Sequence, residues 1–161
     1  MDSEFLSTLN KFVGAASKAT YAGGGGKVGT PERSGFIELE YHDDNWCYRD
    51  SYTGFLRSWG QEVVRYKDKP IWVCSYGGGM TDSNMDEDIA EETFTFLKKV
   101  LLVGDKENQF QPRGPLEYID GDWEYRCTVK GTIKKFKGHE AIRRNGKMIF
   151  THDFFGGLVR Y

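Results

Sequence analysis

The sequence is short of the residues that most often mark a chemical function. It has three cysteines, three histidines and four prolines among 161 residues. Cys47, Cys74 and Cys127 are scattered, odd in number and form no Cys-x-x-Cys pair, which excludes a disulfide framework and suits thiols kept in a reducing cytoplasm. No His-x-His, His-Glu-x-x-His or local Cys–His cluster occurs, so no dedicated metal site and no cofactor are expected. Ser51 and Ser75 lack the Gly-x-Ser-x-Gly elbow of a serine nucleophile. A Cys–His nucleophilic pair stays open, because such partners need only be close in space. There is also no excess of basic charge. A net charge of -2 and a pI near 5.9 argue against a general nucleic-acid binder, which carries a basic face. No apolar run approaches the roughly 20 residues that span a bilayer, and no basic start followed by an apolar stretch marks a signal peptide. The expectation is a soluble cytoplasmic protein.

Two residue classes are abundant instead. Glycine accounts for 20 residues without a Gly-X-Y period, so a collagen-like chain is excluded. Aromatics make up 15% while all hydrophobic residues together reach only 39%. Burial must therefore rely on large flat side chains, each removing about 150–250 Å² from water. At this length a single domain, residues 1–161, is expected to enclose one core.

One block occurs twice. Leu39-Glu40-Tyr41, Trp46-Cys47-Tyr48-Arg49, Gly60-Gln61-Glu62 and Tyr76-Gly77-Gly78 are matched in order by Leu116-Glu117-Tyr118, Trp123-Glu124-Tyr125-Arg126, Gly138-His139-Glu140 and Phe154-Phe155-Gly156. The period is too long for a solenoid, whose repeats run about 20–50 residues. It points to an internal duplication, approximately 1–79 and 82–161, within one domain.

The periodicity of the apolar residues supports the same division. Asp2 or Ser3 can cap a helix whose stripe is Phe5, Leu6, Leu9, Phe12, Val13 and Ala16, fading near Gly14 to Lys18. The run Gly23-Gly24-Gly25-Gly26-Lys27 is not a phosphate loop. It lacks the first Gly and the final Ser or Thr of that motif, and it follows a helix rather than a strand; a flexible loop is expected. From Phe36 the period becomes two, with strands at Phe36–Tyr41, Trp46–Tyr52, Glu62–Tyr66 and Ile71–Tyr76, and Gly77-Gly78-Gly79 closing the half. Asp82, Asp86, Glu87 and Asp88 crowd the start of a second helix, where carboxylates suit the dipole, and Gly104 suits its end. A polar loop, Asp105 to Gly114, precedes four more strands near 116–119, 123–129, 139–144 and 148–154. Asn145-Gly146 is the preferred pair for a type I′ hairpin turn.

The expected fold is therefore α+β. Two pseudo-equivalent halves, each a helix followed by a four-stranded antiparallel meander, join as one long twisted sheet with both helices on one face. The alternative is two sheets curled into a barrel or sandwich.

Several stretches resemble a known family: Lys18-Ala19-Thr20-Tyr21-Ala22-Gly23-Gly24, Asp50-Ser51-Tyr52, Gly60-Gln61-Glu62-Val63-Val64 with Lys69-Pro70-Ile71-Trp72, and Gly156-Gly157-Leu158. The chain from about Phe12 onward is similar to an uncharacterised bacterial and archaeal domain of unknown function. That domain is found alone or behind a helix-turn-helix of the Xre type. The resemblance implies no activity. Its joined form hints at sensing, but this chain shows no helix-turn-helix.

Among candidate site residues, Glu62 and Glu140 occupy the same slot in the two halves. Each can pair with an Arg of a neighbouring strand, such as Arg49 or Arg126. Alternatively each serves a ligand, or acts as a general acid or base with His139 beside Glu140. Trp46, Tyr48, Trp72 and Tyr76, with Trp123 and Tyr125 in the other half, can line an aromatic groove. With a buried Glu, such a groove suits a small cationic or aromatic ligand. The leading expectation is a small-molecule-binding or sensor module. The alternatives are an enzyme using Glu62 or Glu140, and an interaction protein that forms a homodimer through an uncovered sheet face.

Overall fold

The computed structural model describes residues 2–104 and 109–160. Helix α1 (Ser3–Ala19) starts at Asp2, whose carboxylate accepts the Phe5 N–H. It runs past Gly14, which is buried within it. Strands β1 (Ile37–Asp43), β2 (Trp46–Gly54), β3 (Arg57–Tyr66) and β4 (Lys69–Met80) follow. Helix α2 (Glu87–Leu102) is capped by Asp86, and Gly104 follows it with a φ of 105°, as a helix stop requires. Strands β5 (Glu117–Asp120), β6 (Trp123–Thr132), β7 (Lys135–Arg144) and β8 (Lys147–Leu158) complete the chain. Of the polar loop expected at Asp105 to Gly114, residues 105–108 lie outside the described residues.

All eight strands form one antiparallel sheet in the order β1-β2-β3-β4-β8-β7-β6-β5. The sheet is open, with edges at β1 and β5, so neither a barrel nor a sandwich forms. Two consecutive meanders meet at β4 and β8, where Tyr76 stands opposite Phe154. The glycine runs do not end the meanders, as the sequence had suggested. Gly77-Gly78-Gly79 and Gly156-Gly157 lie inside β4 and β8, because residues beyond them still find ladder partners. Both edges are protected against further pairing. At β1, the Glu40 N–H donates to Gly26 O (2.7 Å) and the Val28 N–H to Glu38 O (2.8 Å), so the glycine-rich loop is tied along the edge. Strand β5 is only 4 residues long.

Register assigns the faces. Trp46, Tyr48, Asp50 and Tyr52 stand opposite Tyr66, Val64, Glu62 and Gly60. The same face continues through Trp72 and Tyr76 to Phe154, Glu140 and Tyr125. Both helices cover it. Phe5 and Phe12 of α1 pack on Trp46, with ring centroids at 5.2 and 5.4 Å. Phe96 of α2 stacks on Trp123 at 5.1 Å. Between the helices, Trp72 is fully buried, stacked on Phe136 at 5.6 Å, and its Nε1–H donates to Ile133 O (3.1 Å). No helix covers the other face; the segment at 32–35 lies over Glu38 and Ser51 at one edge, while Trp59 and Phe155 are each left 64% exposed.

Trp72→Ala should therefore destabilise the protein by about 3–5 kcal/mol, whereas Trp59→Ala should stay within about 1 kcal/mol. Denaturant midpoints of the two variants against the wild type provide the check. Equal effects would contradict this assignment of the two faces.

Candidate functional site

The covered face carries a cluster of ionisable groups under the helices. Asp50 of β2 and Glu62 of β3 are directly opposite in register, and both are buried. Tyr76 of β4 reaches them across β3. It can do so because Gly60, its register partner, has no side chain: a Cβ there would lie 2.5 Å from the Tyr76 ring and hydroxyl. The Tyr76 O–H thus donates to Asp50 Oδ1 at 2.8 Å.

Arg113 enters from the segment between α2 and β5, within Gln111-Pro112-Arg113-Gly114-Pro115. It is 7% exposed. Its Nη2 lies 2.7 Å and its Nε 2.9 Å from Glu140 Oε1, while Nη1 is 3.7 Å from Glu62 Oε1. The guanidinium also sits 5.1 Å over the Tyr76 ring. Glu140 is enclosed further by the Tyr125 O–H, which donates to Oε2 at 2.7 Å, and by His152 Nδ1 at 3.3 Å. His152 Nε2 lies 3.4 Å from Ser58 Oγ.

These contacts set the protonation states. Burial alone would raise the Glu140 carboxyl, but Arg113 and then His152 outweigh it and hold it at about 2. Arg113 is raised well above its ordinary value; burial opposes this, and Glu140 and Glu62 prevail. Burial lowers His152 against the pull of Glu140, so the imidazole stays neutral. Burial raises Asp50 to about 6, against the Tyr76 hydrogen bond and Arg113. Burial and then Asp50 raise the Tyr76 phenol well above its usual range, which keeps it a hydroxyl donor. Asp50 is thus a carboxyl that takes up or releases a proton near neutral pH, and it faces a cavity.

The cavity, of about 360 Å³, lies between the sheet and both helices, within the size range of small-molecule sites. Its floor includes Tyr48, Asp50, Glu62, Tyr76, Arg113 and His152. Tyr21 beyond α1, and Phe94, Leu97 and Lys98 of α2, form the opposite wall. Tyr21 packs edge-on to Tyr52 at 6.2 Å, and Lys98 Nζ lies 5.3 Å over the Tyr21 ring. Asp50 and Glu62 line it beside one buried guanidinium, Arg113, which Glu140 engages from behind, while Glu91 and Lys98 stand on the α2 wall.

Of the residues singled out from sequence, Glu62, Tyr48 and Tyr76 come together in this cavity. Glu140 does not line it but stands behind Arg113, fully buried. Trp46 is committed to α1 and Tyr66, Trp72 to the central core, Trp123 to Phe96 and Arg144, and Tyr125 to Glu140. Their ring faces are used up in packing. His139 lies on the uncovered face, 2.8 Å from Asp153, away from Glu140. The expected pairing with Arg49 and Arg126 is also corrected. Arg49 pairs with Glu40 at 2.8 Å and Arg126 with Glu117 at 2.7 Å, because both arginines alternate onto the face opposite the two glutamates. Sequence reasoning missed Asp50, Arg113, His152 and Tyr21. Asp50 carried a signal, as a carboxylate among aromatics on an inward strand face. Arg113, in an irregular Pro-Gly segment, carried none.

Stability should report the buried pair. A carboxyl lowered to about 2 from 4.5 contributes stability that is complete above its ordinary value and lost as pH falls towards the lower one. The difference is on the order of 3 kcal/mol. Glu140→Gln should therefore lower stability at pH 7 by about 3–5 kcal/mol, since it leaves Arg113 poorly compensated. It should also flatten the dependence of the denaturant midpoint on pH between about 4.5 and 2. A variant as acid-sensitive as the wild type would contradict this ion pair.

Comparison with known proteins gives one match. No curated protein and no solved structure matches the chain. A family model described as "Domain of unknown function (DUF5680)" matches residues 50–159. The match takes in Asp50, Glu62, Tyr76, Arg113, Tyr125, Glu140 and His152 of the buried cluster. No helix among the described residues is long and apolar enough to cross a membrane. With more than half its length matched, the chain belongs to the DUF5680 family of domains of unknown function.

Proposed function

We propose that the domain binds a small organic cation with a flat or aromatic body, and that Asp50 and Glu62 recognise the charge. The observation that carries this reading is the cavity. It is concave and partly enclosed, and phenol rings stand beside carboxylates that outnumber the buried guanidinium. Tyr48 and Tyr52 line the cavity with aromatic rings that could meet a cation, and Asp50 offers a carboxylate whose ionised form an incoming positive charge would stabilise. Ligand binding between α1, α2 and the sheet would tie these elements together, which is how such a module could serve as a sensor. Three free thiols, two of them buried, suit a reducing compartment such as the cytoplasm.

The two meanders are proposed to descend from one duplicated unit, of which only the first keeps the cavity. Asp50 opposite Glu62 corresponds in register to Cys127 opposite Glu140, and Tyr76 over Gly60 to Phe154 over Gly138. The polar pair Asp50 and Tyr76 thus has an apolar counterpart, Cys127 and Phe154, packed as core. A crystal structure in which residues 39–79 fail to superpose on 116–157 strand for strand would sink this reading.

A thermal-shift screen tests the binding role, using protonated arylalkylamines and aryl quaternary ammonium ions with neutral alcohols of the same shape as controls. A cation at 100 times its Kd should stabilise the wild type by about 2.7 kcal/mol, and Asp50→Asn or Glu62→Gln should remove most of that. Asp50→Asn should stay folded. A carboxyl raised from 3.8 to about 6 loses stability as pH rises through that interval, so at pH 8 its amide replacement should melt no lower than the wild type. Neutral analogues that shift the melt as much as the cations, or no shift with any compound, would refute the proposal.

A second reading concerns the uncovered face. Trp59 lies flat over Gly77, where a Cβ would meet its ring at 2.0 Å, and Phe155 is exposed on the same side. Two copies joining through this patch would form a homodimer. Light scattering should then give twice the chain mass for the wild type and one chain mass for Trp59→Asp with Phe155→Asp. A monomeric wild type would dismiss it.

A further inference from the structure

The uncovered side of the β1–β2 hairpin brings together three side chains that are well separated from the cavity by the thickness of the sheet. Glu40 and His42 alternate onto this side of β1, and Cys47 of β2 is the register partner of His42. Cys47 Sγ lies 4.0 Å from His42 Nε2 and 3.7 Å from Glu40 Oε1, and His42 Nε2 lies 3.2 Å from Glu40 Oε2. A tetrahedral ion with bonds of about 2.3 Å to sulfur and about 2.0–2.1 Å to nitrogen and oxygen separates its donors by roughly 3.3–3.6 Å. The three distances bracket that range, with the thiol at one Glu40 oxygen and the imidazole at the other, so rotation of the part-buried Glu40 and Cys47 and the exposed His42 side chains would bring the donors to one ion.

Charge favours the same occupant. Glu32, Glu38 and Glu40 share the Arg49 guanidinium, and around the patch these carboxylates with Asp44 and Asp68 outnumber Arg49, Arg65 and Lys67. Arg65, across from Cys47 on β3, is placed to offset a thiolate. Among the described residues, no other group of Cys, His, Asp and Glu side chains comes together with ligand spacing.

We propose that Glu40, His42 and Cys47 form a surface site for a thiol-seeking divalent cation of the zinc class, with water in the fourth position. The donors are a carboxylate oxygen, the neutral imidazole Nε2 and a thiolate, a mixed set suited to zinc rather than to calcium or magnesium. On binding, the Cys47 S–H bond gives way to a sulfur–metal bond and the proton leaves to solvent. The site would pin the β1–β2 hairpin at the sheet edge. This proposal is independent of the cavity and its ligand.

Cobalt(II) is a spectroscopic probe for the site. Titration of the whole protein should produce a thiolate-to-cobalt charge-transfer band in the near ultraviolet that saturates at one ion per chain, releases one proton per ion and is reversed by zinc(II). Cys47→Ser should abolish the band. His42→Ala and Glu40→Gln should each weaken cobalt binding by at least about tenfold, on the scale of lost metal contacts. All three positions lie on the uncovered side of the sheet, and metal-free thermal melts confirm that each variant is folded. Persistence of the band in Cys47→Ser would place the metal elsewhere, and the absence of a saturable band in the wild type below millimolar cobalt would overturn the site.

Discussion

The structure depends on one buried guanidinium. Arg113 comes from an irregular segment and is held in the interior by Glu140 at 2.7 Å and Glu62 at 3.7 Å, with the Tyr76 ring beneath it. Without Arg113, two carboxylates on different strands would stand uncompensated under the helices, a costly arrangement in a medium of low polarity. With it, the segment before β5 is anchored to both meanders at once. The Gly114 N–H adds a donor to the Tyr125 hydroxyl at 3.0 Å, so the Arg113–Glu140 pair is extended by a phenol and then by backbone. The same cation lowers the charge of the cavity floor without cancelling it.

The absence of side chains at two strand positions shapes what lies around this pair. Gly60 and Gly138 face Tyr76 and Phe154. At Gly138 a Cβ would sit 2.3 Å from the Phe154 ring. In both places a large ring lies across its neighbouring strand instead of standing upright. On one side the ring ends in a hydroxyl that meets Asp50 and leaves a polar cavity. On the other it ends in carbon and packs near Phe136, with centroids at 6.4 Å, so that side closes as core. One hydroxyl and one carboxylate thus separate a polar cavity from a region closed as core.

The fold was largely legible in the sequence. The switch of apolar period from 3.6 to 2 located both helices and all eight strands, and Asp2 marked a cap, the acidic run around Asp86 a helix start and Asn145-Gly146 a turn where they occur. The site was legible only in part. Alternation along β2 put Asp50 on the same face as Tyr48, but only the register of β3 on β2, which sets Glu62 opposite Asp50, shows that Arg49 lies on the other side from Glu62. The metal-ligand spacing of Glu40, His42 and Cys47 could not be seen as a motif, because the hairpin turn folds His42 and Cys47 into register although five residues separate them in the chain.

Sequence alone determined what depends on neighbours within a few residues: the helix starts, the alternation that puts Tyr48, Asp50 and Tyr52 on one face, and the Asn145-Gly146 turn. Tertiary structure decided which charges meet. Arg113 lies 27 residues from Glu140 in the chain and belongs to no periodic element, so no local rule sets where its side chain goes. Its place follows from tertiary packing, which buries both glutamates on the helix-covered face of the sheet and brings Arg113 to them. The low polarity of that interior makes the pairing of a guanidinium with the buried carboxylates strongly favoured.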